Sequence, residues 1–315
     1  MCNFVRRSKN HKPSIQIYSH RGFKLKQNKN GDWSVYPGNK ISSIKQALNS
    51  YDGIEFDIHS VEDGKFFVLH HDDDLSLFGL PQETFRKVEI AKLNRPIRKD
   101  LYLKKLQNYF SLESLKIIWP PETSPELLNK LIPVMTSSSK QFLVELKEGG
   151  RNAFRMPSFS SASNLNTFRS SLNQDSKVNL ISFYWFTPVI YKLLGLKNKQ
   201  YFQTGINVVG DTVSPQFVWL AAILGFDSYN PPHKQISEEI LKSCHKHKLK
   251  VVSWSSGDIE EEDENLRAAL RTYFSIPLSK RPTLGLIVNR NYEEVSKLIY
   301  LINKEAVRSD SLLDK

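Results

Sequence analysis

The sequence predicts an α/β protein built on a (β/α)8 (TIM) barrel, and three observations predict it. Nine short apolar runs recur along the 315 residues, mostly separated by stretches of helical spacing; strands alternating with helices make a parallel sheet or barrel, not a sandwich. The third run follows the second through Asp63-Gly64, a short-range hairpin signal, so it reads as an antiparallel return and eight runs remain for the barrel. Such a barrel takes about 250 residues. The surplus fits one small insertion, residues 76–140, between the second-strand hairpin and the third barrel strand. The expected organisation is a flexible tail at 1–13, a barrel over 14–305 and a tail at 306–315.

In chain order, Ile15–Ser19 (IQIYS) is the first strand, Ile41–Asn49 the first helix and Gly53–Ile58 (GIEFDI) the second strand, with Phe66–His70 its return. Within the insertion, Leu101–Phe110 and Ser124–Met135 read as short helices, the first amphipathic and basic. Phe142–Leu146, Val178–Phe183, Tyr201–Ile206 and Phe226–Tyr229 are the next strands. Phe217–Phe226 (FVWLAAILGF) is ten residues long, against about 20 for a membrane span, and reads as a buried helix. Ser237–His247 is a helix with a serine start, followed by the strand Lys250–Trp254 and a helix over Glu262–Phe274. Leu284–Val288 is the closing strand and Tyr292–Lys304 the last helix.

Composition narrows the function classes. Hydrophobic residues are 40% and charged residues 24% of the chain, which excludes disordered, collagen-like and disulfide-scaffold classes. Forty-four Lys+Arg against 33 Asp+Glu give a net charge of +11, suited to anionic partners such as phosphate esters or an acidic membrane surface met peripherally. No nucleic-acid module is recognisable, so nucleic acid is not an expected partner. Cys2 and Cys244 are the two cysteines, and Cys2 sits in a polar, basic N-terminus without an apolar signal segment. A cytoplasmic, reducing location without a structural disulfide is therefore expected.

The second strand carries the chemistry. Glu55 and Asp57 have the same parity and project from one strand face. Ile54, Phe56 and Ile58 require cover on the other face, and a doubly buried parallel strand turns its carboxylates inward. Two such carboxylates repel unless a cation or base lies between them, and a divalent metal is the natural occupant. The hairpin brings back an imidazole. A two-residue turn sets His70 opposite Asp57, and a three-residue turn sets His71 there.

With these residues in place, the sequence resembles the glycerophosphodiester phosphodiesterases of the phospholipase-C-like phosphodiesterase superfamily. The resemblance runs from residue 15 to about 300 and rests on an ordered series: His20-Arg21-Gly22, Pro37-Gly38-Asn39-Lys40-Ile41, Gly53-Ile54-Glu55-Phe56-Asp57, Asp63-Gly64 and His71-Asp72-Asp73-Asp74-Leu75. It continues with Val144-Glu145-Leu146-Lys147, Ile181-Ser182-Phe183, Val252-Ser253-Trp254 and Gly285-Leu286-Ile287. It implies His20 and His71 as the general acid and base, and Glu55, Asp57 and Glu145 as ligands of one divalent cation, Mg2+ or Ca2+. It further implies Arg21 and Lys147 on the substrate phosphate. Hard oxygen ligands suit those metals, and phosphodiester cleavage needs charge neutralisation and proton transfer at both axial oxygens. Trp254 lines the substrate mouth in the resembled family and reads equally as core here.

The implied activity is hydrolysis of glycerophosphodiesters to sn-glycerol 3-phosphate and an alcohol. The competing readings are a lysophospholipase-D-like or phospholipase-D-like enzyme acting on lysophospholipid, and a non-catalytic barrel that binds phosphodiesters or membranes. Several positions depart from the family. Its turn glutamate is Gly38, its closing Thr-Asp is Val288-Asn289, its Thr-Val-Asn after the late tryptophan is Ser255-Ser256-Gly257, and Lys24–Tyr36 are extra residues. Cys244 and His247 are too few to make a metal site, and the acidic run Glu260–Glu264 reads as a solvated helix start.

Overall fold

The structure is a computed structural model that describes residues 14–22, 24–27, 33–36, 38–60, 67–69, 117–118, 126–147, 167–173, 175–186, 189, 203–255 and 259–313. Eight parallel strands close on themselves: β1 (Ile15–His20), β4 (Gly53–Ser60), β8 (Gln141–Leu146), β9 (Val178–Ser182), β10 (Gln203–Asn207), β11 (Ser228–Asn230), β12 (Lys250–Trp254) and β13 (Leu284–Val288). β1 completes the ring by pairing with both β4 and β13, His20 lying opposite Glu55 and Ser19 opposite Val288. The expected barrel is thus the observed one, with strand ends shifted by a residue or two.

The buried run of β13, Leu-Gly-Leu-Ile-Val, has no polar face because a barrel strand is covered on both sides. Inside, Tyr18, Leu143, Ile181, Val252 and Ile287 form one packed layer beneath the mouth. The Tyr18 ring needs two glycines beside it. A Cβ on Gly53 would lie 2.8 Å from the ring, and one on Gly285 would lie 2.6 Å from it. Outside, the large core joins the barrel wall to helices α1 (Ile41–Ala47), α3 (Pro215–Ile223), α4 (Glu238–Lys246), α5 (Ile259–Ser275) and α6 (Tyr292–Leu313). In α4, Ser237 Oγ accepts from Ile240 N at 3.3 Å, and Ile240, Leu241 and Cys244 face inward.

β5 (Phe67–Leu69) returns antiparallel on β4, with Ile58 opposite Leu69 and Ser60 opposite Phe67. This is the register of the two-residue turn. His70 and His71 lie outside the described residues. The extra residues 24–36 supply an antiparallel pair, β2 (Lys24–Gln27) and β3 (Trp33–Tyr36), and β3 pairs in parallel with β6 (Ile117–Ile118) of the insertion. The two additions to the barrel therefore share a small second sheet. β7 (Glu126–Leu127) of the insertion extends the main sheet beyond β5.

Some local expectations are corrected. Ser124–Met135 is not one helix but β7, a 3-10 turn and a short α2 (Ile132–Ser137). Pro133 in the first turn of α2 has no N–H to carry an earlier helix forward. The other expected insertion helix, Leu101–Phe110, lies outside the described residues, as does the 1–13 tail. Helix α3 is half-covered, not buried: Val218 and Ala221 face the core, whereas Trp219 and Ile223 are 54% and 57% exposed. An all-apolar run carries no facial pattern, so only its seat on the barrel wall could decide this. The last helix continues to Leu313 through residues expected to be a tail, with neither Gly nor Pro to stop it. No described helix is long and apolar enough to cross a membrane.

Candidate active site

The site lies at the C-terminal ends of the strands, where barrel enzymes carry their chemistry. The β4–β8 register sets Asp57 directly opposite Glu145 and places Glu55 one step below, opposite Leu143. Glu55, Asp57 and Glu145 are buried, and each offers a carboxylate oxygen within 4.8 Å of the others. Both oxygens of Glu55 lack a hydrogen-bond donor among the described residues. Burial, reinforced by the neighbouring Asp57 and Glu145 charges, pushes the Glu55 carboxyl well above the usual range. Burial also raises Glu145, against the pull of Lys147.

Two cations answer these three carboxylates. Arg21 Nε lies 2.8 Å from Asp57 Oδ2, and Lys147 Nζ lies 2.5 Å from Glu145 Oε1 and 3.4 Å from Asp57 Oδ1. Burial opposes the Lys147 charge, but Glu145 and Asp57 outweigh it and raise its pKa. The Lys147 ammonium also stands over the Phe183 ring at 5.5 Å. Arg21 reaches Asp57 from a left-handed turn: Arg21 and Gly22 have φ of 60° and 68°, and Arg21 N donates to Glu55 O at 2.7 Å. A Cβ on Gly38 would lie 2.7 Å from the Arg21 Cβ. The missing family glutamate at position 38 thus goes with this close approach.

The donor set fits a divalent cation. Three convergent carboxylates facing two fixed positive charges, with both Glu55 oxygens lacking a donor among the described residues, are one negative charge in excess when all are ionised and supply the hard ligands that such an ion takes.

His20, 22% exposed, stands at the rim with Nε2 3.8 Å from Glu55 Oε2 and Nδ1 2.7 Å from Asn289 Oδ1. Burial, with help from the Arg21 charge, lowers its pKa to about 3, so the imidazole is neutral near pH 7. Across the mouth, Trp254 donates from Nε1 to Asn230 O at 2.9 Å and meets the Phe183 ring edge-on at 5.5 Å. It packs against the inner barrel layer, the core role of the two that its sequence position left open.

The fold thus brings together His20, Arg21, Glu55, Asp57, Glu145 and Lys147, while His71 lies outside the described residues. Three participants were not identified from sequence. Asn39, at φ 58°, donates from Nδ2 to Asp57 Oδ2 at 3.1 Å and accepts from Asp57 N at 2.9 Å. Asn289 touches His20. Glu262, expected in a solvated helix start, is instead fully buried behind Asn289. Helical spacing carries the missed signal: positions 262, 266, 269, 270 and 273 fall on one side of α5, and the other four are core residues.

The site is thus an acidic centre with paired cations and a histidine at the mouth of a closed parallel barrel. The chain belongs to the glycerophosphoryl diester phosphodiesterase family, whose model matches residues 20–270. Solved structures share the fold at low identity. A glycerophosphoryl diester phosphodiesterase of Silicibacter pomeroyi superposes with a TM-score of 0.64 at 13% identity, over 92% of this chain and 94% of that one. One from Galdieria sulphuraria gives 0.62 at 16%, over 93% and 100%. An Oleispira antarctica phosphodiesterase in complex with the product sn-glycerol-3-phosphate gives 0.58 at 17%, over 90% and 96%. None of the curated proteins searched matches the sequence.

Proposed function

We propose that this protein is a metal-dependent phosphodiesterase that hydrolyses glycerophosphodiesters to sn-glycerol 3-phosphate and an alcohol. The observation that carries the reading is the buried Glu55–Asp57–Glu145 triad with Arg21 and Lys147 against it and His20 at its edge. Family membership and the product held by the Oleispira relative support the same substrate class. Glu55, Asp57 and Glu145 hold the cation, Mg2+ or Ca2+, and these carboxylates favour either over a thiophilic metal. When bound, the ion neutralises phosphoryl oxygen charge and lowers the barrier to nucleophile formation.

The chain's own groups do the rest. Arg21 and Lys147, already pinned by Asp57 and Glu145, offer N–H donors to the non-bridging phosphate oxygens. Neutral His20 takes the proton from the attacking hydroxyl or water at Nε2, the ring nitrogen on the side of Glu55. His71 fills the opposite role, giving a proton to the leaving alkoxide. Trp254 and Phe183 form the apolar wall of the mouth.

The test is a panel of glycerophosphodiesters and lysophospholipids assayed with EDTA, Mg2+ and Ca2+. Glycerophosphocholine should yield glycerol 3-phosphate only with metal, and His20→Ala should lower turnover by about 10²-fold or more with the fold retained. Turnover of lysophospholipid alone would make the enzyme a lysophospholipase D. Vesicle or phosphodiester binding without turnover of any substrate would make it a non-catalytic barrel.

A further inference from the structure

Behind His20 stands a buried carboxylate that makes no contact with the acidic triad. Glu262, in the first turns of α5, grips the residue that ends β13 through two bonds: Asn289 N donates to Oε1 at 2.9 Å, and Asn289 Nδ2 donates to Oε2 at 3.0 Å. The remaining side-chain atom of Asn289, Oδ1, lies 2.7 Å from His20 Nδ1. The segment is held from both sides. Tyr51 Oη donates to Arg290 O at 2.6 Å, and Arg290 pairs with Asp263 at 2.5 Å and with Glu294 at 3.3 Å.

We propose that Glu262 and Asn289 are positioning residues that lock His20 in the Nδ1–H tautomer and aim its Nε2 lone pair at the reacting centre. Above the pKa of about 7 to which burial raises it, the ionised Glu262 carboxylate only accepts hydrogen bonds, so it fixes which end of the Asn289 amide faces it: the NH2 turns to Glu262 and the carbonyl turns to His20. A carbonyl oxygen cannot donate, so the proton of the neutral imidazole sits on Nδ1, and Nε2 is left as acceptor. The 3.8 Å gap from Nε2 to Glu55 agrees, since an N–H there would be drawn to the carboxylate within hydrogen-bond reach. Helix α5 on the outside of the barrel thereby controls a proton position at its mouth. The departure from the family's closing Thr-Asp is then functional: Asn289 provides a neutral acceptor on one side and two donors on the other.

Glu262→Gln tests this almost isosterically. The backbone N–H of Asn289 cannot turn, so it keeps the glutamine oxygen, and the glutamine NH2 then meets the Asn289 NH2. The conflict is relieved by a flip of the Asn289 amide, which presents its NH2 to His20 and moves the imidazole proton to Nε2. The role in turnover rests on the phosphodiesterase reading above, but the tautomer does not. Nitrogen-15 NMR of histidine-labelled protein at pH 8, with His20 assigned by its loss in His20→Ala, should show Nδ1 protonated in the wild type and Nε2 protonated in Glu262→Gln. Glycerophosphocholine kcat should fall about ten-fold or more in that variant, with KM within about three-fold, as for other supports of an active group.

A wild-type His20 protonated at Nε2 would overturn the proposal, as would a Glu262→Gln protein that keeps the Nδ1–H form or inverts it with kcat unchanged. Should Glu262→Gln fail to fold, Asn289→Ala gives the same test: without its acceptor, His20 should show a mixture of tautomers, and a pure Nδ1–H form would be contrary. Absence of any wild-type turnover, with the tautomers as stated, would refute the phosphodiesterase reading and leave the lock standing.

Discussion

Asn39 and Asp57 clasp each other: the amide of Asn39 donates to Asp57 Oδ2 at 3.1 Å, and the Asp57 N–H donates back to Asn39 Oδ1 at 2.9 Å. Asn39 can do this because its left-handed turn, joined to Arg21 O through its own N–H at 2.7 Å, bends it over the end of β4. Asp57 is thereby held with one oxygen against Arg21 and Asn39 and the other towards Lys147. Asn39→Ala should weaken Mg2+ or Ca2+ binding about 10–100-fold, as expected for an outer partner of a ligand. Calorimetric titration of the metal checks it, and an unchanged affinity would refute it.

The triad crowds three carboxylates whose repulsion a bound divalent cation would relieve. In EDTA, Glu55→Gln should raise the melting temperature, because a neutral amide replaces a carboxyl whose ionisation is opposed by burial and by the Asp57 and Glu145 charges. The same change should abolish the stabilisation that the wild type gains from divalent cation, about 2.7 kcal/mol at a hundred times Kd. Thermal melts of both proteins with and without metal decide it. A Glu55→Gln protein that is less stable than wild type in EDTA would contradict the electrostatic account.

Glu262 gives stability a pH dependence of known sign. Burial raises its pKa from 4.5 to about 7, against the bonds from Asn289. Between those values the folded chain holds a proton that the unfolded chain has lost, so this group's contribution to stability is full below pH 4.5 and declines as pH rises through about 7. The slope is at most about 1.4 kcal/mol per pH unit. Urea unfolding of wild type and Glu262→Gln between pH 5 and pH 8 should show the decline reduced in the variant. Parallel profiles would count against it.

Much of the site was legible in the sequence because its residues lie on regular strands. The parity of 55 and 57 places both carboxylates on one face of β4, and the apolar residues between them force that face inward. The count of eight strands likewise follows once Asp63-Gly64 removes the ninth run. The sequence alone also marks Asn289 as unusual, but gives it no partner.

Tertiary structure decided what depends on contacts between distant segments. Local spacing shows that Glu262 shares a face with Leu266, Leu270 and Tyr273, but only the docking of α5 beside the end of β13 turns it from a helix-start charge into the anchor of Asn289. The half-exposed α3 and the sheet shared by residues 24–36 and 117–118 belong to the same class. Periodicity within one element determines which face a residue occupies. What meets that face is set by the packing of another element far along the chain, and at that meeting the surplus basic residues and lone carboxylates of the composition acquire, as in Arg21, Lys147 and Glu262, defined partners.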